Sequence, residues 1–325
     1  MRGIIGLALC GLLTAGSAQA ADCGLKQIDS IPVTVTPPRI YLPLTLAGQE
    51  KKFAFQLESS TNEISEDVSG ALDFYQRSID PHVTITRNGR RLTHIAVSGP
   101  FQLGKIAGKD MEFLVMPRGT YPADLDGIIG THSFQSMDFE LDLAGGKLNL
   151  FMPDHCPGNV VYWTKGGFGQ LPFVIETGAD YMRVPMTLDG KEVRVALQTS
   201  GRSTMGMNTM RQLFGIDETS PDMTLVDTLP NGRKMYRYAF KSLAADALTI
   251  SNPAIFVFGE PPRPECDKGH IVYPEHPPMH STEQPAYVRC FGGADVFLGM
   301  SVLSKLHLYF SSKEQLLYLT PAAAH

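Results

Sequence analysis

The sequence predicts an all-β chain of two similar lobes. Three observations carry that reading: an internal repeat, Asn-Gly turns at matching places, and a hydrophobic-hydrophobic-Gly segment near the end of each half. YLPLTLAGQEKKFAFQLESSTNEIS, from Tyr41, matches RVPMTLDGKEVRVALQTSGRST, from Arg183. Each copy reads as a strand, a Gly turn, a second alternating strand and a polar turn. The match sets Leu57-Glu58-Ser59-Ser60 against Leu197-Gln198-Thr199-Ser200.

Downstream of both polar turns, Asn88-Gly89-Arg90-Arg91 and Asn231-Gly232-Arg233-Lys234 put an Asn-Gly pair between alternating segments. Asn and Gly accept the positive φ of a two-residue hairpin, so both read as hairpin tips. The first half then closes with Asp126-Gly127-Ile128-Ile129-Gly130 and LDLAGGKLNLF, the second with Val296-Phe297-Leu298-Gly299-Met300 and LYFSSKEQLLYL. Both endings predict a buried strand, a short helix and a final hairpin. Pro157, Gly158, Gly166, Gly167 and Gly169 mark a linker between the halves. The expected divisions are a leader at 1–20, a first lobe at 21–153, a linker at 154–170 and a second lobe at 171–325.

The leader expectation rests on MRGIIGLALCGLLTAGSAQA, with an early Arg2, an apolar run from Ile4 to Leu13 and the small-residue end Ala18-Gln19-Ala20. Cleavage near Ala20 would deliver the protein to the periplasm or outside the cell. The run is shorter than the roughly 20 residues that span a bilayer, and no later segment is apolar enough to span one, so no membrane span is expected. Loss of Arg2 leaves the chain one unit more acidic than its formal −5. With no basic run, nucleic acid is not an expected partner.

Four cysteines follow the leader: Cys23, Cys156, Cys266 and Cys290. An even count in an exported chain predicts two disulfides, with Cys266–Cys290 and Cys23–Cys156 the favoured pairing of the three possible. No two cysteines have the close spacing of a zinc site. CDKGHIVYPEHPPMHSTEQPAYVRC carries His270, His276 and His280, weak candidates for a metal. A proline beside His276 and the lack of helical spacing favour a disulfide-stapled surface loop, and no cofactor is implied.

YLPLTLAG, RVPMTLDG, DGIIGTHSF with DFELDLAGGKLNLF, and VFLGMSVL together resemble the bilobal aspartic peptidases, particularly the bacterial exported retropepsin-like proteins. The resemblance spans about Arg39 to Leu319. It implies two similar β-barrel lobes with short helices about a pseudo-twofold axis, each lobe giving one aspartate in an Asp-Thr-Gly or Asp-Ser-Gly turn. Carried over on the match above, those turns fall on Glu58-Ser59-Ser60 and Gln198-Thr199-Ser200, and neither keeps its aspartate. The chemistry needs two carboxylates sharing one proton, which a Glu58–Gln198 pair cannot supply. ETGAD, from Glu176, superficially resembles such a turn, but no alternating strand leads into it and it reads as an ordinary Gly turn.

The leading expectation is therefore an exported protein, catalytically inactive, that binds an extended peptide or protein segment between the lobes. The Asn88-Gly89-Arg90 hairpin would be a flap over that cleft or simply an exposed turn. Asp126 and Asp295 read as turn or surface acids. The alternatives are a hydrolase using Glu58, where burial would raise the carboxylate pKa, or a metal in the His270 loop, and a structural protein of the cell envelope.

Overall fold

The computed structural model describes residues 24–87, 90–175, 181–260 and 293–322. Two ten-stranded sheets, one per half, stand on a six-stranded sheet to which both halves contribute. In the first half, antiparallel strands Arg39–Leu46 and Gln49–Gln56 pair from Tyr41↔Ala54 to Leu46↔Gln49. In the second, Met182–Leu188 and Lys191–Leu197 pair from Arg183↔Ala196 to Leu188↔Lys191. The hairpin loops therefore have equal length, and the repeat predicted from sequence is a repeat of register.

Each second strand runs parallel to a strand from the end of its own half. Ile129 lies beside Phe55, and Leu298 lies beside Leu197. The short helices Glu66–Ala71 and Met207–Phe214 follow the polar turns, the first capped by the Ser65 side chain accepting from the Val68 amide. A 3-10 turn at Thr131–Phe134 and a helix at Met300–Leu303 precede the final hairpins, as the sequence predicts. The second-half Asn-Gly tip is present too: Gly232 has φ +79° and the Leu229 amide closes the loop on the Arg233 carbonyl at 2.8 Å.

The barrel expectation is corrected. Each ten-stranded sheet is an open path, running in the first half from Ile106–Gly108 to Tyr75–Ser78, and no closed barrel forms among the described residues. The end strands are three and four residues long, and each edge is left unpaired with the other.

The shared sheet joins the halves directly, because Asp138–Asp142 pairs with Leu306–Ser311, Phe139 opposite Phe310. Side chains alternate across it. Its inner face is apolar: Phe139 stacks on Phe310 with centroids 4.5 Å apart, and Phe55 meets both Phe134 and Phe139 edge-on. The strand ending at Gln56 is thus fixed to the sheet that unites the lobes. The outer face is polar and buried under the connecting segment. There Asp138 meets the His155 ring at 2.6 Å and accepts from the Tyr309 hydroxyl at 3.1 Å, while Glu140 meets the His307 ring at 2.8 Å and accepts from Tyr162 at 2.7 Å. Trp163 lies flat on His307. Both carboxylates come from the first half and several of their partners from the second, so the lobes are joined by polar contacts as well as apolar ones.

Candidate functional site

The site lies where the two polar turns meet, and the strand registers fix which residues correspond. With Phe55 beside Ile129 and Leu197 beside Leu298, Phe55 is the counterpart of Leu197. Gln56 then corresponds to Gln198, Leu57 to Thr199, Glu58 to Ser200 and Ser59 to Gly201. An independent contact agrees: the Thr131 amide donates to the Ser59 carbonyl at 2.8 Å, and the Met300 amide to the Gly201 carbonyl at 2.9 Å. The sequence match of Glu58-Ser59-Ser60 with Gln198-Thr199-Ser200 is thus two residues out of register. A two-residue slip keeps every side chain on its own face, so alternation alone cannot detect it. Counting from the turn glycines Gly48 and Gly190 would have found it, since each glutamine stands eight positions after its glycine.

Glycine at the end of each parallel strand lets the turns fold back so tightly. A Cβ at Gly130 would lie 2.7 Å from the Ser59 carbonyl oxygen, and one at Gly299 would lie 2.3 Å from that of Gly201. Each glycine amide is also held by a turn side chain: Asn62 Oδ1 accepts from Gly130 at 3.1 Å, and Ser203 Oγ accepts from Gly299 at 3.0 Å. Asp126 and Asp295, as expected, have structural roles. Asp126 accepts the Lys52 amide and Asp295 the Arg194 amide, both at 2.8 Å, on equivalent strands.

Across the lobe junction the two turns hold each other. Thr199 is 1% exposed. Its hydroxyl donates to the Phe55 carbonyl at 2.7 Å and accepts the Leu57 amide at 3.1 Å. A hydroxyl has one hydrogen, and the Phe55 carbonyl takes it, so the longer 3.4 Å approach to Glu58 is no second donation. Symmetry would have residue 57 return the exchange, but Leu57 has no hydroxyl. Glu58 does so instead: its Oε2 accepts the Thr199 amide at 2.8 Å, and its Oε1 accepts the Ser200 hydroxyl. Burial pushes the Glu58 pKa above its ordinary 4.5, while hydrogen bonds from Ser200 and Thr199 act the other way.

Two cavities flank the turns. One of about 520 Å³ is lined by Gln56, Glu58 and Ser200 and reaches Tyr121 and Ile128. The other, of about 410 Å³, is lined by Gln198 and by Phe297 and Phe258, counterparts of Ile128 and Met116. In the first cavity Glu63, 5% exposed, accepts from Arg87 Nε at 3.1 Å and from the Tyr121 hydroxyl at 2.5 Å. Burial and the neighbouring Glu63 push the Tyr121 pKa up, so its hydroxyl keeps its proton. Sequence reasoning missed this trio, whose members lie far apart in the chain.

Arg87 ends one strand of the hairpin Ile85–Arg87/Arg90–Leu92, and its pairing with Arg90 leaves room for the two-residue tip predicted there. Asn88 and Gly89 lie outside the described residues, and Arg90 is exposed. Of the cysteines only Cys156 is described. Cys23, Cys266 and Cys290 lie outside, as do His270, His276 and His280, Glu176 to Asp180, and the leader. No group of three or more metal-ligating side chains is found among the described residues, and no described helix is long and apolar enough to cross a membrane.

No protein-family model matches the sequence, and no curated protein sequence matches it. Solved structures do. An aspartic proteinase from Irpex lacteus superposes with a TM-score of 0.55 at 10% identity, covering 90% of this chain and 97% of its own. Basic 7S globulin from soybean gives 0.49 at 10% identity, covering 93% and 96%, and conglutin gamma from lupine seeds gives 0.48 at 9%, covering 91% and 95%. The chain has the two-lobed fold of the pepsin-like aspartic proteinases.

Proposed function

We propose that this is an exported protein of pepsin-like fold whose inter-lobe cleft binds an extended peptide or protein segment without cleaving it. The observation that carries the reading is the equivalence of Gln56 and Gln198. The aspartates of the resembled family would stand on these two positions, in turns that meet across the lobes. A carboxamide does not titrate, so neither residue can take a proton from water, and no proton can be shared between them. Glu58 is the only carboxylate among the turn residues Gln56–Ser60 and Gln198–Arg202, and both its oxygens accept from the opposite turn.

The cleft supports binding because its cavities open on both sides of the turns and the Arg87 hairpin stands beside one of them. Extended segments bind such surfaces through main-chain pairing, with side chains entering alternate pockets. Export would follow cleavage near Ala20, to the periplasm or beyond, with Cys23–Cys156 and Cys266–Cys290 as disulfides. The Asn88-Gly89-Arg90 hairpin would act as a flap.

One observation favours a second reading. A buried carboxylate of raised pKa next to the Ser200 hydroxyl is the setting of a general base, so a hydrolase using Glu58 is the rival.

The binding reading is tested by fluorescence anisotropy with labelled, end-blocked extended peptides and a Gln56→Trp variant, whose indole would fill the cavity beside Ile128. Saturable binding that the variant loses is expected. Absence of binding to any peptide would overturn the reading.

A further inference from the structure

Arg39 is the one basic side chain lining the Glu58 cavity besides Arg87, and its surroundings leave it uncompensated. Glu63 is taken by Arg87 and Tyr121, and Glu58 by Thr199 and Ser200. Among the described residues the half-buried Arg39 guanidinium has no hydrogen bond or ion pair. The remaining wall includes Met116, Leu125 and Ile128, all buried. A guanidinium beside an apolar wall is screened less than one in open water, and its planar fork suits a carboxylate.

The second lobe shows that this cation is not part of the repeated scaffold. Since Tyr41 corresponds to Arg183, Arg39 corresponds to Tyr181. Tyr181 is satisfied within its own lobe, its hydroxyl accepting the Ala294 amide at 3.4 Å and its ring packing against Phe297. The charges lining the Gln198 cavity are also paired, Arg233 with Glu260 and Asp295 with Arg194. The two cavities flanking the turns therefore differ in one respect that a ligand would feel: among the described residues, only the Glu58 side offers an unpaired cation.

We infer that the Glu58 cavity is a carboxylate-selecting subsite, in which Arg39 pairs with an acidic side chain or the terminal carboxylate of the bound segment. The inference rests on the reading of the cleft as a peptide-binding site. The buried walls Met116, Leu125 and Ile128 would take the aliphatic part of a Glu or Asp side chain.

Three sets of extended peptides separate the possibilities: end-blocked and neutral, end-blocked with one Asp or Glu moved along the sequence, and neutral with a free C-terminal carboxylate. Binding is measured to the wild type, Arg39→Gln and Arg39→Lys, with circular dichroism confirming that each folds. At low salt the wild type should bind one of the acidic sets about tenfold tighter than the neutral set. Arg39→Gln should abolish the preference and Arg39→Lys should keep part of it. Which acidic set gains tells a side-chain carboxylate from a terminal one. Equal binding of all three sets, or a preference surviving in Arg39→Gln, would overturn the inference while leaving the peptide cleft intact. Failure of every set, neutral peptides included, would overturn both.

Discussion

Gln56-Leu57-Glu58 and Gln198-Thr199-Ser200 occupy the same place in the two lobes and meet the same demand with different side chains. Each must satisfy backbone groups of the opposite turn in a place that water does not reach. The second lobe does so with a hydroxyl, Thr199 Oγ1, which bridges the Leu57 amide and the Phe55 carbonyl. The first lobe has leucine at that position and reaches one residue further, so that the Glu58 carboxylate takes the Thr199 amide. Glu58 therefore has a structural task. It supplies the acceptor that Leu57 cannot.

Loss of the Thr199 hydroxyl should have the largest effect. Thr199→Val keeps the shape but strands the Leu57 amide and the Phe55 carbonyl together, so urea unfolding should show a loss of about 3 kcal/mol. A change below about 1 kcal/mol would mean that the hydroxyl does not hold the turns. Glu58→Ala removes the acceptor for one amide and one hydroxyl, the latter able to turn toward the cavity, and should cost about 1–2 kcal/mol by the same measurement.

Glu58 also gives a pH signature. Its folded-state pKa is raised above 4.5, so the folded chain holds the proton more tightly than the unfolded one. The stability it contributes is complete below the unfolded value and is lost as pH rises through the folded one. Relative to Glu58→Gln, the wild type should therefore lose Tm as the pH is raised from about 4 toward neutrality. A wild type that gains Tm over that interval, relative to the variant, would show that the hydrogen bonds outweigh burial.

A smaller and sharper effect is expected from restoring the missing symmetry. Leu57→Thr alone should be unfavourable, because Glu58 already occupies the Thr199 amide. Combined with Glu58→Gly, the new hydroxyl can take that amide, so the pair should be more stable than the sum of the single changes by about 1 kcal/mol. Simple additivity would show that the two side chains do not compete. Least of all should change at Gln56: it is half-exposed, and Gln56→Ala should alter stability by no more than about 0.5 kcal/mol.

Much of this architecture is legible in the chain itself. The Tyr41 and Arg183 repeats, the Asn231-Gly232 tip and the glycine-terminated strands ending at Gly130 and near Gly299 carry local signals that survive folding unchanged. The turn register is not so legible. Leu-Glu-Ser-Ser and Leu-Gln-Thr-Ser look alike, and period-two alternation tolerates the two-residue slip that separates Glu58 from the position of Gln56. The shared sheet is invisible for another reason: pairing of Phe139 with Phe310 links segments from opposite halves, and no local pattern encodes it. The Glu63–Arg87–Tyr121 trio and the solitary charge of Arg39 are likewise products of assembly.

Mass spectrometry distinguishes a cleft that binds peptides without cutting them, as proposed, from one that cleaves them. The purified protein would be incubated with a mixed peptide library from about pH 3 to about pH 8, an interval spanning the carboxylate and imidazole pKa values, with Glu58→Ala alongside. Peptides recovered with the protein and intact at every pH are the predicted result. Cleavage products that disappear in Glu58→Ala would contradict it and make Glu58 the working acid or base of an enzyme.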